Sequence, residues 1–289
     1  MRILVVGAAG MLGLDVLRAG ERAGHELIAM DLPEIDITAP ASVEAALQRA
    51  NPEAVLNCAA MTDVDGQESN REGAFAVNAD GAGNLARGAA AVGIPLVHVS
   101  TDYVFSGEAP HDASGAPRAY VESDATGPRS VYGESKLAGE HQVLEASSRH
   151  TVARTAWLFG IGGRNFVETM LRIAGEREAV QVVTDQVGCP TWSGHLAPAL
   201  VGLLEREVAG LVHLAGAGHV SWNGFATEIF HQAEVECAVE DTSSEEMALP
   251  APRPAWSVLE SELNDVLPLP PWQDGLAGYL ATRAGLSRA

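Results

Sequence analysis

Residues Ile3-Leu4-Val5-Val6-Gly7-Ala8-Ala9-Gly10-Met11-Leu12-Gly13 decide how this chain folds. The first four are a continuous apolar run, which reads as a strand buried on both faces of a parallel sheet. Three glycines follow in G-x-x-G-x-x-G spacing. Met11, Leu12, Val16, Leu17 and Ala19 then carry a helical pattern. A glycine-rich turn between a strand and a helix is the arrangement that binds a dinucleotide. Gly7 permits the tight turn, Gly10 lets a pyrophosphate approach the backbone, and Gly13 lets the helix pack close to the sheet. Exposed N–H groups at the helix start neutralise the phosphates.

The same alternation runs onward. Strands are expected at residues 26–31, 54–57, 95–100 and 152–154, and helices at 41–50, 74–92 and 130–147. Strands alternating with helices mean right-handed crossovers and a sheet covered on both faces. The fold class is α/β, a Rossmann-type doubly wound parallel sheet. Residues 1–160 form the expected NAD(P)-binding domain, to which later segments return. Residues 161–289 form a smaller, interleaved C-terminal substrate-binding lobe. There we expect a strand at 180–183, helices at 194–206 and 224–235 with a strand at 211–214 between them, and a proline-rich stretch at 250–271.

Composition bounds the function. Of 289 residues 47% are hydrophobic, enough for a large core, yet no apolar run is long enough to span a bilayer. The chain enters a strand at once, leaving no room for a signal peptide. Cys58, Cys189 and Cys237 are far apart and lack metal-ligand spacing, so no metal site is expected and they read as reduced thiols in a cytoplasmic protein. The net charge of −20 argues against nucleic-acid binding. An anionic ligand must then be met locally, by backbone N–H groups or a few placed cations.

Tyr132 and Lys136 stand in Val-Tyr-Gly-Glu-Ser-Lys, four apart and on one face of a helix. An ammonium near a phenol favours the phenolate and lowers the tyrosine pKa, which suits proton exchange with a substrate oxygen. The fourth strand ends Ser100-Thr101-Asp102, and a hydroxyl at that end would face a nicotinamide. Thr101 is placed to stabilise a developing alkoxide. Thr101, Tyr132 and Lys136 together are what a nicotinamide-dependent carbonyl reductase needs. Asp31 closes the second strand, where an acid binds the adenosine ribose and repels a 2′-phosphate. Asp36-Ile37 either edges the adenine or makes a turn. Small residues from Asn57 to Ala60 leave room for the flat middle of the cofactor.

Six segments extend this reading. They are Ser100 to Phe105 (STDYVF), Val131 to Glu140 (VYGESKLAGE), Arg154 to Gly160 (RTAWLFG), Asn165 to Met170 (NFVETM), Asp185 to Thr191 (DQVGCPT) and Trp272 to Leu276 (WQDGL). With them the chain resembles the dTDP-4-dehydrorhamnose reductase family, of the extended short-chain dehydrogenase class, over essentially its whole length. The resemblance implies reduction of the C4 ketone of dTDP-4-dehydro-L-rhamnose with NADH or NADPH. It implies Tyr132 as proton donor, Lys136 on the nicotinamide ribose, and Thr101 at the transition state. Gly10, Met11, Leu12, Asp31, Asp36, Ile37, Ala60, Met61, Thr62 and Val99 would border the cofactor. Asp102 and Trp157 would contact the sugar nucleotide, though Trp157 reads equally as core. Asn165 reads as a substrate contact or a helix cap. Arg253 reads as a phosphate ligand or a surface residue.

Gly66 stands where many relatives have lysine, and Trp256 where they often have Asn or His. A sister reductase for another dTDP-4-keto-deoxysugar therefore stays open, as does a non-catalytic regulatory subunit of the same fold. The expected partner is a dTDP-4-keto-6-deoxy-sugar, with no nucleic acid and no membrane; a homodimer is left open.

Overall fold

The structure, a computed structural model, describes residues 1–263 and 268–286. The strands are β1 (Arg2–Val6), β2 (Glu26–Met30), β3 (Ala54–Asn57), β4 (Leu96–Thr101), β5 (Thr151–Thr155), β6 (Leu158–Phe159), β7 (Ala179–Val183), β8 (Val187–Gly188), β9 (Thr191–Trp192), β10 (Gly210–His213), β11 (Val220–Ser221), β12 (Ala238–Thr242) and β13 (Trp256–Ser257). The helices are α1 (Met11–Arg22), α2 (Pro40–Ala50), α3 (Val64–Glu68), α4 (Arg71–Phe75), α5 (Ala82–Ala91), α6 (Val131–Ala146), α7 (Phe166–Ala174), α8 (Ser193–Glu205), α9 (Trp222–Gln232), α10 (Ser244–Met247) and α11 (Trp272–Leu286).

The central sheet runs β10-β5-β4-β3-β1-β2, every pair parallel. Alternate residues of a strand face opposite sides. Ile3 and Val5 accordingly pack with Leu12 and Val16 of α1 and with Leu196 and Leu200 of α8. Leu4 and Val6 pack with Val43 and Leu47 of α2, Leu85 of α5 and Val143 of α6. Both faces are thus covered, which is why these strands read as unbroken apolar runs. The chain reverses between β1 and β3, and at such a switch point a crevice opens beyond the strand ends. The lobe has its own core, in which Phe159, Val167, Met170, Phe225, Ile229, Trp272 and Tyr279 meet. Late in the chain, β10 forms one end of this sheet and α8 packs on the same face as α1.

One expectation is corrected. Residues 74–92 are not a continuous α-helix: α4 passes through a π-helical turn, Ala76–Gly81, into α5. The wider turn carries Asn78, only 1% exposed, whose carboxamide accepts the Met61 N–H at 2.8 Å and donates to Met61 O at 3.1 Å and Ser135 Oγ at 3.0 Å. A carboxamide buried this deeply needs such partners, and a single π turn inside an α-helix is a rare feature found frequently at functional sites. Among the described residues, no helix is long and apolar enough to cross a membrane.

Candidate active site

The glycine turn has the geometry that its spacing implies. Gly7 adopts φ +76°, and a Cβ there would lie 2.6 Å from Ala59 N. At Gly13 a Cβ would lie 2.3 Å from Gly7 O, so only glycine lets α1 start this close to the loop. Gly10 caps α1 without any side-chain hydrogen bond, leaving the first N–H groups of the helix for a ligand. Two cavities share Gly7, Gly10, Cys58 and Ala60, one of about 570 Å³ and one of about 270 Å³. Unpartnered helix N–H groups beside such a trough fit a dinucleotide.

The smaller cavity is lined by Asp31, Asp36 and Ile37. Asp31 Oδ2 accepts the Ala9 N–H at 3.1 Å and Oδ1 the Leu32 N–H at 2.9 Å, so this acid also holds the glycine loop. Asp36 Oδ1 takes the Thr38 N–H and hydroxyl, closing a turn. Among the described residues, no arginine or lysine lines this cavity.

The larger cavity gathers Met11, Leu12, Gly13, Thr62, Val99, Thr101, Asp102, Tyr132, Lys136 and Trp157. Sequence position brings Thr101 there at the end of β4. Tyr132 comes from the first turn of α6, where Ser130 caps the helix by accepting the Gly133 N–H. Thr101 Oγ1 donates to Asp102 Oδ1 at 2.9 Å, while Asp102 Oδ2 is buried with no hydrogen-bond partner. Burial raises the Asp102 carboxyl to about 6, against the Ser257 and Thr101 hydroxyls and the backbone N–H groups of Asp102 and Tyr103.

The expected electrostatics of the tyrosine are not what the structure shows. Burial pushes the Tyr132 phenol up to about 12; the Thr101 hydroxyl opposes the shift and the Asp102 carboxylate adds to it. Lys136 does not lower it. Its Nζ turns toward β4, donating to Val99 O at 2.7 Å and meeting His98 Nε2 at 3.2 Å. Burial lowers its ammonium to about 8, against the attraction of Glu140.

Three predicted residues lie off both cavities. Met61 is held through its backbone by Asn78, between Ala60 and Thr62, which do line the larger cavity. Asn165 is a cap: Oδ1 accepts the Glu168 N–H at 3.0 Å, and Nδ2 donates to Gly160 O at 2.8 Å and Gly163 O at 3.2 Å. The side chain thus spends its hydrogen bonds on the protein rather than facing substrate. Arg253 grips Asp65 with two hydrogen bonds, 3.0 and 2.8 Å, so its charge is already met. The guanidinium holds the Asp65 carboxyl below the usual carboxylate range. Nor does Trp256 reach the cavities; its Nε1 donates to Arg118 O at 2.9 Å. At Gly66 the N–H caps back onto Asp63 Oδ1 at 3.1 Å.

Sequence reasoning missed Trp222, Arg164 and Thr155, all of which line the larger cavity. Arg164, in the glycine-rich run Gly160-Ile161-Gly162-Gly163, brings a cation to it. A glycine-rich run beside an arginine was the signal that could have found it. Thr155 ends β5 as Thr101 ends β4, and its buried Oγ1 has no hydrogen-bond partner.

A doubly wound parallel sheet, with a glycine turn on its first strand and a Thr, Tyr and Lys around one cavity, defines the extended short-chain dehydrogenase/reductase class. The family model described as the RmlD substrate binding domain matches residues 1–284. The chain belongs to the dTDP-4-dehydrorhamnose reductase family. It is 43% identical to a dTDP-4-dehydrorhamnose reductase of Mycobacterium tuberculosis, over 98% of this chain and 93% of the relative. Its structure superposes on that of a dTDP-4-dehydrorhamnose reductase of Clostridium acetobutylicum with TM-score 0.93 at 36% identity, covering 98% of this chain and 100% of the other. The enzyme of that name from Bacillus anthracis, in complex with NADP, gives TM-score 0.92 at 36% identity over 97% and 99% of the two chains.

Proposed function

We propose that this protein is an NAD(P)H-dependent oxidoreductase that reduces the C4 ketone of dTDP-4-dehydro-β-L-rhamnose to dTDP-L-rhamnose in the cytoplasm. The observation that carries the reading is the meeting of Thr101, Tyr132 and Lys136 at one cavity that continues to the glycine turn. Orphan N–H groups at the start of α1 hold the pyrophosphate, and Asp31 holds the adenosine ribose. When bound, the nicotinamide supplies the hydride that goes to C4. Tyr132 passes its phenolic proton to O4, so the carbonyl becomes a hydroxyl and the tyrosinate is reprotonated from solvent. A phenol with a raised pKa keeps its proton until the alkoxide forms. Thr101 turns its hydroxyl from Asp102 to the substrate oxygen and donates to it as charge develops there. Lys136 serves as the cation on the nicotinamide ribose.

The Asp102 carboxyl, in the lining of the larger cavity, takes a sugar hydroxyl. Trp157 and Trp222 supply an apolar wall, and Arg164 is the cation best placed for a phosphate of either ligand. Binding energy from the nucleotide half holds the ketone in position. The test is consumption of NADH and of NADPH with dTDP-4-dehydro-L-rhamnose, beside other dTDP-4-keto-6-deoxy-sugars and the free keto-sugar. We expect kcat/KM to be highest for the dTDP-rhamnose precursor and far lower for the free sugar. Equal kcat/KM with and without dTDP would leave only a generic carbonyl reductase.

A further inference from the structure

Lys136 is the only lysine in the chain. It is 1% exposed, and its Nζ meets Val99 O and His98 Nε2. What His98 can offer is decided at the far end of a hydrogen-bond chain. Ala59 N–H donates to Asn57 Oδ1 at 3.0 Å. A backbone N–H only donates, so Oδ1 must face Ala59, and the Nδ2 of Asn57 must face His98. Nδ2 also only donates, and it lies 2.9 Å from His98 Nδ1. Nδ1 is therefore the bare nitrogen, and the neutral ring carries its proton on Nε2. An imidazolium is excluded by the same contact, because its Nδ1–H would face the Asn57 Nδ2–H, and burial by itself disfavours the charged ring. The Nε2–H then points at Nζ, 3.2 Å away. An ammonium has no lone pair to accept it; an amine has one.

We propose that the His98-docked position of Lys136 favours the neutral amine over the ammonium, through the positioning residues Asn57 and His98, and that dinucleotide binding restores the ammonium with a proton taken from solvent. The second half rests on the reading above, in which Lys136 binds the ribose as a cation. In that step the amine lone pair forms a new N–H bond, and the contact from His98 Nε2–H to Nζ is given up. The groups that face Lys136 are consistent with the amine. Cys58, beside β3, stays a thiol because burial pushes it up to about 12. Glu140, one turn along α6, favours the ammonium, but its carboxylate is gripped by Arg154 at 2.9 and 2.7 Å and takes the Ser100 hydroxyl at 2.5 Å, and burial of Lys136 outweighs it. Tyr132, one turn earlier, is neutral. Burial itself favours the uncharged form.

The single lysine makes the test direct. Protein grown on 13C-lysine gives one side-chain Cε signal, and its midpoint in the cofactor-free enzyme should lie near 8 rather than at the ordinary 10.5. Replacing His98→Leu removes the donor and should raise the midpoint by about one unit; Asn57→Asp, which lets His98 carry its proton on Nδ1, should raise it further. Calorimetry of NADPH binding in two buffers of different ionisation enthalpy should show proton uptake growing toward about one proton between roughly pH 7 and pH 9. A wild-type midpoint near 10.5, or one that neither variant moves, overturns the donor chain. Binding of NADPH without proton uptake overturns the coupling. Failure of NADPH to bind at all would instead count against the dinucleotide reading, and the Cε titration would still decide the state of Lys136.

Discussion

Trp157 and Trp222 lie face to face in the larger cavity, ring centroids 3.5 Å apart and planes 3° from parallel. Trp157 follows β5 in a left-handed conformation, φ 45°, which costs a non-glycine residue roughly 1–2 kcal/mol. Such strain persists where the surroundings over-determine it, and the α9 tryptophan is the surface that does so here. We predict that Trp222→Ala lowers kcat/KM for the sugar nucleotide by about 2- to 10-fold, mainly through KM, since a stacked aromatic pair contributes about 0.5–1.5 kcal/mol beyond its buried area. Steady-state kinetics with saturating NADPH check this; an unchanged KM would remove Trp222 from the substrate wall.

Tyr132→Phe deletes one oxygen and leaves the ring, which packs edge-on against Tyr103 at 5.4 Å. Turnover should fall by a factor of ~10² to 10⁴, the usual contribution of a general acid, while dinucleotide affinity is nearly kept. Fluorescence titration with NADPH and single-turnover rates separate the two. A variant retaining half of the wild-type kcat would mean that another group protonates O4.

Asp102 offers a pH signature. Its carboxyl is raised by burial to about 6 from an ordinary 3.8, so the native state binds more protons than the unfolded chain between those values. Stability is therefore lost as pH rises through that window, and the ionised form is penalised by up to about 3 kcal/mol above it. Asp102→Asn should gain stability relative to wild type as pH rises from about 3.5 to about 7, while losing activity. Urea unfolding across that range tests it; a stability difference that does not vary with pH would place the titration elsewhere.

Asp31 should govern the choice of dinucleotide. Its carboxylate suits two ribose hydroxyls and meets a 2′-phosphate badly. We expect the wild-type enzyme to use both NADH and NADPH, with NADH well accepted, and Asp31→Ala to shift preference toward NADPH. The same substitution frees the Ala9 N–H, so some loss with either dinucleotide is also expected. The ratio of the two kcat/KM values is the informative measurement, and a ratio that stays constant would detach Asp31 from the ribose.

Much of this architecture is local in origin and was therefore legible. The buried strands announce themselves as apolar runs because residues of both pleat faces are covered, as Ile3 to Val6 show. The glycine turn needs particular backbone angles and clearances at Gly7 and Gly13, and the Tyr132–Lys136 spacing follows from the helical period. What the tertiary structure alone decided depends on surfaces remote in sequence. Arg253 is occupied by Asp65, 188 residues away, and Trp157 by a tryptophan on α9. The π turn answers to Asn78 and its partners Met61 and Ser135, which no helical pattern foretells. The direction of the Lys136 amine is set by His98, itself set by Asn57 and the Ala59 N–H. Periodicity determines which face a side chain occupies; the polar partner it finds there depends on which other elements are packed against that face.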